Sequence, residues 1–448
     1  MIRSSPTFPF IPRRPSRFFK IALACLGISL WAGPLPGQEA IRPSVAGEAA
    51  AALRKQPIQT TDYNLEVGPV LLKVTGGIGV QYNDNINLSE TGRQADIIVS
   101  PAVNINLNWP VTRSNTLSLT TSLGYQEYIF HPQNASPNIT VAPNSQLNFD
   151  IYTGSFRINF HDQFSASDNP IQVGALSNVT TYAQYSNTIG AGILWDLNSA
   201  ILTVDLDYTN IITPTSQDQG NQSAIPDDTH ATESAVFSAL FPVTPITGVG
   251  FNTNASYTTY SQSDRGTATT FGAGPFFQTR LTSFTQLTVS GGYQGVYFRG
   301  GGGPVGSPVL SGSATPAGQG ANSASYYASV SLSHQLNRYY SDSLSFGRES
   351  QLGVTSAEEQ YYFLSYSSSW KLSRVLGFGT SLSLNDTQES GFGASQHYDQ
   401  LLASISTGYQ LTRRLNMSIL YQFTLKLANV RDQGYVQDAL TVQFAYSF

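Results

Sequence analysis

The sequence predicts an all-β fold: a transmembrane antiparallel up-and-down β-barrel of 18 strands, with 16 as the alternative count. Three observations carry this reading. Long segments alternate apolar and polar residues, the links between them alternate short and long, and the last strand ends on Phe448. Composition agrees. Only 11% of the 448 residues are charged, well under the ~25% of a soluble domain. Mean hydropathy is nevertheless slightly negative, which excludes a bundle of apolar helices. Ser, Thr, Asn, Gln and Gly fill the gap beside 24 Tyr and 24 Phe, as suits a sheet with lipid on one face and water on the other.

The N-terminus reads as an export signal over residues 1–37. Arg13, Arg14, Arg17 and Lys20 make a basic region, and the apolar run Ile21 to Ala32 follows. That run is shorter than the ~20 residues of a spanning helix, and Gly33 to Gly37 leads to a cut near Gly37–Gln38. The sole cysteine, Cys25, leaves with the signal, so the mature chain has no disulfide and no cysteine metal site. The signal removes five basic residues and no acid from a chain already at net charge −5. An acidic chain of this kind is no nucleic-acid binder. Residues 38–69 form a periplasmic lead-in, with a turn or two of helix expected near Ala46 to Lys55, and the barrel occupies 70–448.

Within the barrel, period-two alternation is cleanest at Val103, Ile105, Leu107 and Trp109, interleaved with Asn104, Asn106 and Asn108. It recurs at Leu202, Val204, Leu206 and Tyr208 against Thr203, Asp205, Asp207 and Thr209, and again at Met417, Ile419, Tyr421 and Phe423. Alternation marks a strand with two unlike faces, and many runs reach the ~9–11 residues of a tilted spanning strand. Short links are expected at Pro110–Ser114, Asp196–Ser199, Pro242–Thr247, Asn337–Ser341, Ser373–Val375 and Thr412–Leu415. Longer ones lie at His131–Asn144, Ser165–Val179, Thr213–Thr229 and Gly300–Ala321. Short periplasmic turns and longer external loops are the barrel pattern. The strand count rests on Thr153–Gly154, where the apolar phase switches and a turn is expected. On the last strand Phe444, Tyr446 and Phe448 share a face, the C-terminal signal that barrel-assembly machinery reads.

Three stretches resemble one family. Gly76-Gly77-Ile78-Gly79-Val80-Gln81-Tyr82-Asn83-Asp84-Asn85-Ile86 opens the barrel, Asp96 to Leu107 includes Ser100-Pro101, and Ser167-Asp168-Asn169-Pro170 follows a Phe-rich strand. Together they resemble the beta-barrel porin type 2 family of Gram-negative outer-membrane proteins. The resemblance implies a place in the bacterial outer membrane and a link to exopolysaccharide genes. It carries over no catalytic residue.

Candidate sites are few. Asn83, Asp84 and Asn85, or Asp227 and Asp228, have the oxygen ligands of a Ca²⁺ site, but these residues are also the usual turn formers, the favoured reading. Asp205 and Asp207 share the polar face of one strand, where ordinary lumen residues are favoured over an acid–base pair. His131, His161, His230, His334 and His397 are scattered without metal-ligand spacing, so no metal, cofactor or enzymatic activity is read. Tyr125, Tyr128, Tyr257, Tyr260, Tyr297 and Tyr409 are expected in lipid-facing girdles. The lumen candidates are therefore Asn104, Asn106, Asn108, Asp205 and Asp207. The expected partners are outer-membrane lipids, the assembly machinery and a small polar or polysaccharide solute. A passive channel is the first functional expectation. A non-conducting barrel that anchors an envelope complex, its lumen filled by Gly300–Ala321, is the second.

Overall fold

The computed structural model describes residues 63–448, apart from 135–137, 168–173, 180–181, 214–227, 262–264, 300–321, 355 and 392–395. The signal, the helical turns expected in the lead-in, Asp227 and the Gly300–Ala321 loop lie outside the described residues.

Among the described residues, 21 strands form one antiparallel sheet. In chain order they are β1 (Leu65–Val67), β2 (Val70–Asn83), β3 (Asp96–Pro110), β4 (Asn115–Tyr125), β5 (Glu127–Tyr128), β6 (Ile139–Val141), β7 (Gln146–Thr153), β8 (Phe156–Ser167), β9 (Gln184–Asp196), β10 (Ile201–Ile212) and β11 (His230–Thr244). The sheet continues with β12 (Thr247–Tyr260), β13 (Thr267–Arg280), β14 (Thr285–Arg299), β15 (Ser323–Asn337), β16 (Tyr340–Leu352), β17 (Glu358–Lys371), β18 (Leu376–Ser390), β19 (His397–Gln410), β20 (Leu415–Ala428) and β21 (Tyr435–Ser447). Three are short additions. β1 doubles back on β2 through Leu65↔Leu72, so the end of the lead-in is a strand. β5 prolongs the course of β4 along β3, and β6 bridges β4 and β8.

The other 18 are the staves of a closed barrel. Each pairs with the next, and β2 pairs with β21 through Thr75↔Ser447 and Ile78↔Phe444, which closes the ring. Closure leaves no sheet edge, the condition for strands to survive in lipid. The count turns on Gly154, whose φ of +57° lets β7 fold straight back onto β8 with Ile151 opposite Ile158. A side chain there would strain the backbone.

The expected short links all join strands at the end that holds both termini, and 281–284 is a further turn there that the sequence reading did not separate. At the other end the expectation of long loops is corrected in part. Links 261–266, 353–357, 391–396 and 429–434 are short as well, and Ser165 to Ser167 still belong to β8.

The two faces differ as the alternation requires. Ile193, Val204 and Phe237 line up across β9, β10 and β11 on the exposed side. On the opposite side hydroxyls pair across strands: Thr188 with Thr209 at 2.8 Å, Ser343 with Ser367 at 2.8 Å and Ser381 with Ser404 at 3.1 Å. Such cross-strand pairs contribute roughly 0.2–1 kcal/mol each. Tyr125, Tyr257, Tyr297 and Tyr409 are exposed with the aliphatic side chains, as expected of a girdle. Tyr128 and Tyr260 are not, and here the expectation is corrected. Tyr128 is buried with Ile86 and Ile98, and Tyr260 is buried against His230 with the Arg265 guanidinium 5.1 Å from its ring centre. Both stand where loop segments fold back over strand ends, so their rings pack on protein.

Candidate functional site

The polar face is the inside of the barrel, and one segment shows this directly. Residues 174–179 lie between β8 and β9, yet they reach Lys426 on β20, six staves away from β8 on the shorter path round the ring. Lys426 Nζ donates to the carbonyls of Ala175 (3.0 Å) and Leu176 (3.4 Å) and to Ser177 Oγ (3.0 Å). It also lies 4.5 Å from the centre of the Tyr398 ring. A side chain at Gly174 would press on Tyr398 and Gln400 of β19, so the segment runs close against that wall.

Further bonds hold the segment at the loop end of the barrel. Asn178 N donates to Leu88 O (3.0 Å), Asn178 Nδ2 to Asp432 O (2.7 Å) and Ser177 Oγ to Gln433 O (2.7 Å). Leu88, Asn178 and Asp432 all have positive φ, at 47°, 59° and 60°. For a leucine this is an uncommon conformation, and Leu88 keeps it while fully buried in the knot. Ala175, Leu176, Val179 and Tyr182 form a small apolar core that packs on Val354. Arg265 joins the same region, pairing with Asp228 at 2.5 Å and donating to the Val354 carbonyl. The mouth is thus partly roofed by segments from several loops.

The turn reading of Asn83, Asp84 and Asn85 accounts for their contacts. Asn83 Oδ1 accepts from Asn85 N, Asn85 Nδ2 donates to Ser89 O and Val436 O, and Asp84 Oδ1 accepts from Asp438 N. The oxygens named are spent on backbone, and Asp84 Oδ2 lies 3.9 Å from Arg93 Nη1. Beneath the roof the wall is acidic. Glu359 of β17 stands directly opposite Glu389 of β18, both buried, with Lys426 near enough to offset their charge. Gln351 Nε2 donates to Glu359 at 2.9 Å, and the Tyr361 hydroxyl donates to Glu349 at 3.1 Å.

The residues singled out from sequence fall in three places. Asn104, Asn106 and Asn108 are half-buried on β3, opposite Ser122, Thr120 and Ser118 of β4 and opposite Thr75, Lys73 and Leu71 of β2. Asp205 and Asp207 lie on the polar face of β10, between exposed Val204, Leu206 and Tyr208. The two groups are on separate parts of the wall. Phe444, Tyr446 and Phe448 are exposed on the lipid side, with the Tyr446 and Phe448 rings edge to face at 5.5 Å. Four histidines stand beside aspartates; His230 and Asp228 are near neighbours in sequence, whereas spacing along the chain did not show the other three pairs. His161 reaches Asp207 (2.8 Å), His131 reaches Asp96 (2.9 Å), His397 reaches Asp386 (2.8 Å) and His230 reaches Asp228 (3.7 Å).

No family model matches this chain, and no curated protein does. Solved structures with a similar shape come from Pseudomonas aeruginosa. OpdK, solved with vanillate, is 8% identical with a TM-score of 0.46 over 84% of this chain and 99% of that one. OccK2 (OpdF), solved in complex with glucuronate, is 8% identical with a TM-score of 0.48 over 85% and 98%. OccK5 (OpdH) is 11% identical with a TM-score of 0.45 over 84% and 98%. At these values the likeness is one of barrel shape.

An apolar exterior around a closed sheet with a polar interior is built to cross a bilayer. The protein is a β-barrel of the bacterial outer membrane. Its lipid-exposed belt is in contact with the membrane, and its polar wall encloses the lumen.

Proposed function

We propose that the barrel is a porin-like channel that passes small polar solutes, neutral or cationic, across the outer membrane. The carrying observation is the composition of the inner wall. Hydroxyl pairs such as Thr188–Thr209 and Ser343–Ser367 give it neutral hydrogen-bonding capacity, and Asp205, Asp207, Glu359 and Glu389 give it negative charge. Barrels of this strand number are wide enough for an aqueous passage. Asn104, Asn106 and Asn108 would line it on one side, Asp205 and Asp207 on another. Saccharide-type solutes suit a wall of hydroxyls and amides, and an association with exopolysaccharide export rests on the short motifs at 76–86, 96–107 and 167–170 alone. The test is swelling of proteoliposomes in isotonic neutral sugars. Swelling above that of empty vesicles is expected, and none would refute the reading.

One observation favours a second reading, a non-conducting barrel that serves as an anchor. The segment at 174–179 lies inside the mouth, and its buried ties suit a plug. Freeing it by Lys426→Met separates the two. A gated channel conducts before and after the change, whereas a plugged anchor conducts only after it.

A further inference from the structure

Three neighbouring strands bring His161, Gly190 and Asp207 into one row. His161 of β8 is opposite Gly190 of β9, and Gly190 is opposite Asp207 of β10. A side chain at 190 would collide with both His161 Nε2 and Asp207 Oδ1. With glycine there, the two lean over the strand between them and meet at 2.8 Å. Asp205 is two residues along β10, and one ligand atom from each of the three side chains lies within 4.8 Å of the others.

Hydrogen bonding around the trio shows what is missing from it. Arg157 holds Asp150 through Nε (3.0 Å) and Nη2 (2.9 Å), and Asn159 Nδ2 donates to the same Asp150 oxygen at 3.0 Å. The opposite amide orientation would set a carbonyl against that carboxylate. Asn159 therefore turns its Oδ1 to His161, 2.9 Å from Nδ1. Nδ1 must be the donor, which leaves the Nε2 lone pair of a neutral imidazole facing a carboxylate oxygen. Two acceptors at that distance need a cation between them, a proton or a metal ion. A proton would satisfy this pair but not Asp205, whose Oδ1 is buried with no hydrogen-bond partner. An orphaned buried carboxylate oxygen is costly. A metal ion would satisfy all three ligands at once.

We propose that His161, Asp205 and Asp207 form a binding site for one divalent transition-metal ion of the Zn²⁺ class on the inner wall of the barrel. One imidazole nitrogen and two carboxylates suit a borderline cation, whereas Ca²⁺ and Mg²⁺ favour all-oxygen sites. Zinc–ligand distances of about 2.0–2.2 Å need the His161–Asp207 contact to open by only a few tenths of an ångström. Asn159, held by Asp150, is the outer partner that fixes the ligating nitrogen. The His161 and Asp207 side chains are 16% and 18% exposed, so water from the lumen reaches the fourth position. A second trio, Asp386, His397 and Asp399, has the same residue types. It lies on the lipid-side face at the rim, with His397 exposed, and supplies an internal control.

The experiment uses the protein purified from membranes in detergent, stripped with chelator, then titrated with Co²⁺ followed by visible absorption and with Zn²⁺ in competition. One saturable site is expected. His161→Ala should abolish it, Asn159→Ala should weaken it about 10–100-fold, and His397→Ala should leave it unchanged. Asp205→Asn keeps side-chain volume and the His161–Asp207 contact, and should weaken binding at least tenfold. It carries the test if His161→Ala does not fold, with heat-modifiable gel mobility as the check of folding. Absence of saturable binding, binding indifferent to Asp205→Asn, or loss of binding in His397→Ala would each overturn the proposal. None of these readouts depends on whether the barrel conducts.

Discussion

Lys426 and Ala175 are 251 positions apart in the chain, yet Lys426 Nζ donates to the Ala175 carbonyl at 3.0 Å inside the barrel mouth. The lysine is fully buried, and its charge is offset by Glu359 and Glu389 while its hydrogens go to the 174–179 segment. Removing the ammonium takes a counter-charge from two buried carboxylates and a donor from the carbonyls of Ala175 and Leu176, the latter keeping its bond from Ser177 Oγ.

Lys426→Met is therefore expected to release the segment. The segment loses its hydrogen bonds to a charged donor, each contributing about 1.5–3 kcal/mol, and 3 kcal/mol exceeds a hundredfold change in an opening equilibrium. Limited proteolysis of the protein in vesicles should show cleavage within 174–179 rising by that order. The barrel itself should stay resistant, because its strands are tied to each other and not to Lys426.

The lipid-side phase of β10 makes a second prediction. Leu206 is 53% exposed at the middle of the strand. Leu206→Arg should destabilise the barrel by roughly 2–4 kcal/mol, the depth-dependent cost of an arginine in hydrocarbon. Asn104→Arg, on the polar face of β3, should cost much less. Denaturant unfolding in lipid vesicles checks both, and equal costs would invert the assignment of faces.

Much of this was legible in the sequence. Alternation at 103–109 and 202–209 gave the two faces, since a strand exposes one side chain in two to each side. The phase switch at Thr153–Gly154 gave the count of 18. The roof was not legible, because its bonds join positions such as 88, 178, 426 and 432 that share no local pattern. The His161–Asp207 contact was hidden for the same reason. It follows from the register of three strands and from a glycine, and neither is written in the spacing of histidines.

The C-terminal strand supports a third expectation. Phe448 is 62% exposed and caps a lipid-side row with Phe444 and Tyr446, so its ring adds little to the fold itself. Phe448→Ser should lower the amount of barrel assembled in the outer membrane of cells severalfold. Refolding of the purified protein into detergent should be nearly unchanged. Equal loss in both settings would make Phe448 a packing residue and not an assembly signal.

The most direct measurement is the current through single barrels in a planar bilayer under a salt gradient. A channel with an acidic, hydroxyl-rich wall is expected to give discrete conductance steps and a reversal potential displaced toward cation preference. Silence from the wild type, or a reversal potential displaced toward anions, would contradict it.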